Sequence, residues 1–141
     1  MRTSIKALTV TAVAAGAVSL ATVPAFADTL TNYQGGVTWT KLYIGSTTCE
    51  AVIDKAYDST LGYEVARGAF ISNGPTCKGA LYRSTDGGRT WIQASDVYSF
   101  GSSSGWVRTG YHWDTPGEVV NRVCISTGSV APIDGGCSYA V

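Results

Sequence analysis

His112 is the only histidine in the 141-residue sequence, so a hydrolytic triad would have to run through it. Such a triad needs a serine that attacks, an imidazole that takes its proton and a carboxylate that orients the imidazole. Serines are plentiful, but none is marked as a nucleophile: the Gly-x-Ser-x-Gly spelling occurs once, at Gly101-Ser102-Ser103-Ser104-Gly105, within an expected Gly/Ser loop rather than at a strand-to-helix elbow. His112 lies between Tyr111 and Trp113, a setting that reads as a packed or rim position rather than that of a base. Glu64, Arg67, Arg83 and His112 supply the acid, cation and imidazole of ribonuclease chemistry, with no motif to tie them together. Paired carboxylates for glycoside hydrolysis would come from Asp54, Asp58, Glu64, Asp96, Asp114 or Glu118, whose scatter reads as surface charge. The sequence has no Gly-rich phosphate cradle, EF-hand loop, metal-spaced histidines or C-x-x-C knuckle, so neither a metal nor a cofactor is expected. The chain reads as non-enzymatic.

Binding is the better-supported chemistry. The sequence carries four Trp and eight Tyr, more than a small core requires. Trp106, Tyr111, His112 and Trp113 gather around one strand and the following Asp114–Gly117 turn, and form the candidate binding set. Aromatic rings with polar tips suit protein interfaces and stack on sugar rings. Period-two alternation puts Tyr111 and Trp113 on one face and His112 on the other, with part of the set filling the core.

The N-terminus supplies the compartment. Arg2 and Lys6 precede an uncharged Ala/Val/Leu/Thr run, and Pro24-Ala25-Phe26-Ala27 closes it with small residues. That pattern predicts a secretory signal peptide over residues 1–27, not a membrane anchor. Removing 27 of 141 residues leaves 114, enough for one domain. Eight basic and ten acidic residues remain, a net charge near −2 that argues against nucleic acid or anionic lipid as partner. Cys49, Cys77, Cys124 and Cys137 predict two disulfides in an exported chain. Three pairings are open; Cys49–Cys77 with Cys124–Cys137 is favoured, because each pair brackets segments expected to lie side by side.

Residues 28–36 are short and polar and end in Gly35-Gly36, which predicts a flexible arm before a domain over 37–141. From Val37 the pattern alternates. Strands are expected over 37–44, 48–57, 61–72, 80–84, 90–94, 106–113, 119–125 and 137–141, separated by Gly, Pro, Asn and Asp turns, with Phe100–Gly105 as a loop. No segment carries helical periodicity with caps. The expected fold is all-β, a single antiparallel sandwich of about seven strands with two disulfides.

Ser84-Thr85-Asp86-Gly87-Gly88-Arg89-Thr90-Trp91 reads Ser-x-Asp-x-Gly-x-Thr-Trp and resembles the Asp-box hairpin of sialidases and other secreted β proteins. Asp86 can accept backbone N–H groups within such a turn, Gly88 can supply a positive φ, and Trp91 can pack beneath it. One copy in a short chain implies a structural hairpin rather than a propeller enzyme. In size and build the chain also resembles the small adaptor subunits of secreted actinobacterial umbrella toxin particles. That resemblance implies a bridge between a lectin-like subunit and a toxin-bearing stalk, with the 28–36 arm as an inserting segment. The expected function is a secreted interaction module whose partners are other secreted proteins. Carbohydrate or cell-wall binding through Trp106 and Trp113 is the second reading, and inhibition of a secreted hydrolase through the 100–105 loop the third.

Overall fold

The computed structural model describes residues 30–114 and 117–141. The expected signal peptide and residues 28–29 lie outside the described residues. Ten strand segments form in chain order: β1 (Leu30–Ile44), β2 (Thr47–Asp58), β3 (Tyr63–Ser72), β4 (Cys77–Ser84), β5 (Ile92–Gln93), β6 (Tyr98–Phe100), β7 (Val107–Arg108), β8 (His112–Trp113), β9 (Val120–Thr127) and β10 (Gly136–Cys137). Pro132–Asp134 forms a 3-10 turn before β10. The strands build two antiparallel sheets. The first runs β1-β2-β3-β7, with β8 also on β3; the second runs β10-β9-β4-β5, with β6 also on β4.

The core follows from alternation. Cys49, Ala51 and Ile53 of β2 and Ala66 and Phe70 of β3 face Cys77 and Leu81 of β4, Phe100 of β6, and Val123 and Ile125 of β9. Phe70 is the centrepiece, stacked on Phe100 at 5.5 Å between ring centres. Its ring lies where a side chain on Gly79 would stand, for a Cβ there would meet Phe70 Cδ1 at 2.5 Å. The second sheet is covered on its other face too: Ala80, Tyr82 and Cys124 pack against Trp91, Ile133 and Cys137. The disulfides are Cys49–Cys77, which ties β2 to β4 across the two sheets, and Cys124–Cys137, which joins directly opposed residues of β9 and β10.

Several expected elements are redrawn. Residues 30–36, expected as an arm, extend β1: Leu30, Thr31 and Gln34 pair with Asp58, Tyr57 and Lys55 of β2, with register breaks between them. Gly36 N–H donates to Asp54 Oδ1 at 3.0 Å and fastens the bulged half of the strand. The expected 106–113 strand divides in two because buried Thr109 hooks onto Gly68. Its N–H donates to the Gly68 carbonyl (2.9 Å), and its hydroxyl oxygen accepts the Gly68 N–H (3.0 Å). Of the expected 90–94 strand only Ile92–Gln93 pairs, since Thr90 is held by Asp86. Phe100, expected in a loop, is instead buried at the end of β6. These divisions make ten segments where about seven strands were expected.

Candidate functional site: the outer face of the first sheet

With the second sheet covered on both sides, the outer face of the first sheet is the open one. Antiparallel register places directly opposed residues on the same face. Trp39 of β1 opposes Val52 of β2, which opposes Ala69 of β3, which opposes Arg108 of β7. Inward residues on either side of this row, such as Ala51 and Phe70, are buried, so the row faces outward. Trp39 is 63% exposed and Tyr43 72% exposed, while Trp106, beside Arg108 on the far edge, is 44% exposed. Three strand spacings separate Trp39 from the β7 edge, about 14 Å. The face is thus framed by indole rings on both edges, with half-buried Val52 between them and Ala69 buried beneath its neighbours. Its polar groups are already engaged. Arg67 Nε donates to Asp54 Oδ2 (3.2 Å), its guanidinium lies 4.8 Å over the Tyr111 ring, and Lys41 pairs with Glu50.

The four residues singled out by sequence are strung along the edge of β3 rather than gathered. Arg108 opposes Ala69 and Trp113 opposes Val65, four residues apart along β3, or about 13 Å. Trp106 stacks loosely with Arg108 (5.8 Å). Tyr111 is half-buried under Arg67. Trp113, 40% exposed, meets Tyr63 edge-on at 6.3 Å and the Arg83 guanidinium at 5.7 Å. His112 opposes core residue Ala66, and burial, followed by the Arg83 charge, pushes its imidazole below the ordinary 6.5. Arg67 lies on the outer face with Asp54 and Tyr111, whereas Glu64 lies beside Lys55.

Asp114 belongs to a polar plug at one end of the sandwich. Its Oδ2 faces Lys55 Nζ at 2.7 Å, its Oδ1 accepts Asn121 Nδ2–H at 2.7 Å, and Glu64 Oε2 stands 4.0 Å from the same lysine. Asp114 and Asn121 are buried. A buried carboxylate needs a counter-charge and hydrogen bonds, and these partners supply both.

Asp86 works within its own turn. Its carboxylate accepts the Ser84 hydroxyl (2.6 Å), the N–H groups of Arg89 (3.0 Å) and Thr90 (2.8 Å), and the Thr90 hydroxyl (2.7 Å). These bonds, Ser84 first and Thr90 next, hold it well below the ordinary 3.8. Gly87 and Gly88 sit at φ 70° and 89°, which a side chain adopts only with strain. Gly87 N–H also reaches the Glu118 carbonyl at 2.9 Å. Trp91 packs against the outer face of the second sheet, beneath the Arg122 guanidinium at 4.0 Å.

Trp39, Tyr43 and Tyr139 were not singled out by sequence, yet Tyr139 is 88% exposed and lines a groove with the other two. The signal for the first two is Lys41. It shares their face by alternation, so that face is solvated while Leu42 and Ile44 point to the core. Tyr139 follows Cys137 at the chain end and had no pattern to mark it.

Among the described residues no group of three or more His, Cys, Asp and Glu side chains could hold a metal ion, and no helix is long and apolar enough to cross a membrane. Two disulfides are compatible with an oxidising, extracellular setting. Comparison with models of protein families, with curated proteins and with solved structures returns no match.

Proposed function

We propose that the chain is a secreted, non-enzymatic interaction module that docks onto another extracellular protein, in the manner of an adaptor subunit of a toxin-type assembly. The observation that carries this reading is the outer face of the first sheet, where Trp39 and Tyr43 stand exposed on one edge and Trp106 on the other. The solvated face of an antiparallel sheet is ordinarily polar, and exposed aromatic area of this kind marks interaction surfaces. Lys41 and Arg67 on this face are already paired with Glu50 and Asp54, and Arg108 lies over the Trp106 ring, so the partner meets aromatic and aliphatic surface with one exposed guanidinium at its edge. In this reading the Asp86 turn and the Asp114 plug serve the fold.

The test is purification of the tagged protein from the culture medium of its native host, followed by sizing and mass spectrometry. A stable assembly well above the monomer, lost in Trp39→Ala and Tyr43→Ala variants that remain folded, is the expected result. A monomer under every growth condition overturns the reading. The pair of indoles framing one face also favours a second reading, a saccharide chain stacked across Trp39 and Trp106. Retention on insoluble polysaccharide, abolished by Trp39→Ala or Trp106→Ala, would establish it in place of the first.

A further inference from the structure

We infer that the groove between the free edge of β1 and the chain around Ser138 takes an extended segment of a partner protein, added as a strand to β1 and carrying a carboxylate side chain. This rests on the interaction-module reading and names its site and its partner chemistry. β1 has a strand on one side alone among the described residues. Its second half, Thr38 to Ile44, pairs with β2 without a register break, in contrast to the bulged first half. Bulges are a usual protection of sheet edges, and this half has none.

The direction of the free backbone groups follows from the ladder. Thr48 turns toward β3, with its carbonyl accepting Asn73 N–H (3.1 Å) and its N–H donating to Asn73 Oδ1 (2.6 Å). Tyr43, opposite Thr48, therefore directs its own N–H and C=O away from β2. Antiparallel ladders alternate residue by residue, so Lys41 and Trp39 aim theirs at the free edge too. An extended peptide laid there gains main-chain hydrogen bonds along about 23 Å of strand, and pockets for alternate side chains give it specificity.

The groove itself has a volume of about 790 Å³. Its aromatic walls are Trp39, Tyr43 and Tyr139; its cations are Lys41 and Arg122; and no carboxylate lines it. Arg122 Nε is buried without a hydrogen-bond partner. Lys41 is already paired with Glu50 of β2, so Arg122, which no salt bridge engages among the described residues, is the cation that selects a strand bearing Asp or Glu, with apolar side chains for the rings. The same charges disfavour a second copy, since antiparallel self-pairing about Lys41 sets two ammonium groups face to face.

The test uses a displayed library of random linear 12-residue peptides selected on the purified, oxidised chain. Binding is then measured by fluorescence anisotropy, and amide exchange by NMR. The expected result is enrichment of peptides that alternate apolar residues with Asp or Glu. Their binding should raise protection of the Trp39, Lys41 and Tyr43 amides at least tenfold. Lys41→Pro removes an edge N–H without breaking the β2 ladder, and should weaken binding tenfold or more beyond the effect of Lys41→Ala. If Lys41→Pro does not fold, amide protection in the unsubstituted chain decides. Absence of enriched peptides, protection confined to other strands, or self-association through β1 overturns the inference. A native assembly that survives Lys41→Pro overturns strand addition while leaving the interaction module standing; a monomer in the native medium overturns that wider reading.

Discussion

Asp114→Ala should be among the most damaging single substitutions in this protein. The change removes the 2.7 Å contact to Lys55 Nζ and the 2.7 Å bond from Asn121 Nδ2. It leaves Lys55, whose side chain is 18% exposed, with Glu64 alone at 4.0 Å. It also leaves the amide of fully buried Asn121 with a long 3.4 Å contact to the Trp113 carbonyl. Breaking a buried ion pair from one side costs roughly 3–5 kcal/mol, and an unsatisfied buried amide about 1–3 kcal/mol. The two costs overlap, and the partial exposure of Lys55 lowers the first, so the expected loss is about 3 kcal/mol. At a urea slope of about 1.5 kcal/mol/M that moves the unfolding midpoint by about 2 M. Asp114→Asn keeps an acceptor for both neighbours and should lose about half as much. The control is the cycle with Lys55→Ala, whose coupling to Asp114→Ala should exceed about 1 kcal/mol. The half-exposed Lys41–Glu50 pair, treated the same way, should couple by under about 1 kcal/mol. A coupling at Lys55–Asp114 no larger than at Lys41–Glu50 would refute the account of this end of the sandwich as a buried, ion-paired plug.

Gly79→Ala drives a methyl into the Phe70 ring and should destabilise by about 1–3 kcal/mol in urea melts, with an altered near-ultraviolet aromatic signal; unchanged stability would mean that Phe70 has another seat. The two disulfides should rank by the chain they close. The chain-entropy relation gives about 3.6 kcal/mol for the 28-residue separation of Cys49–Cys77 and about 2.9 kcal/mol for the 13-residue separation of Cys124–Cys137. Urea unfolding of the paired Cys→Ala variants should reproduce that order. The Asp86 turn makes stability depend on acid. Because its carboxylate is held below the ordinary 3.8, its contribution is fully present above that pH and is lost as the pH falls beneath it. The urea midpoint of Asp86→Asn should therefore lie below that of the unsubstituted chain at pH 6 and converge with it toward pH 2.

The alternation of Val37 to Ile44 and of Thr48 to Tyr57 determined an antiparallel all-β fold, because period two is set within each strand by the pleat itself. Within that fold, the Cys49–Cys77 and Cys124–Cys137 pairing was favoured but not compelled by order along the chain. The Asp86 turn was equally local: its partners, from Ser84 to Thr90, lie within a few residues of it. What the sequence could not decide was which face of each sheet is covered. Trp91, Ile133 and Cys137 close the outer side of the second sheet, and those contacts join residues that are distant in the chain. The first sheet is thereby left as the open one, and Trp39 and Tyr43 are surface rather than core. The same long-range packing draws Asp114 to Lys55 and Asn121, so that a carboxylate read as scattered surface charge becomes a buried counter-ion. Local patterning determined strands and turns, whereas burial is a property of the partner face, and only the tertiary structure supplies the partner.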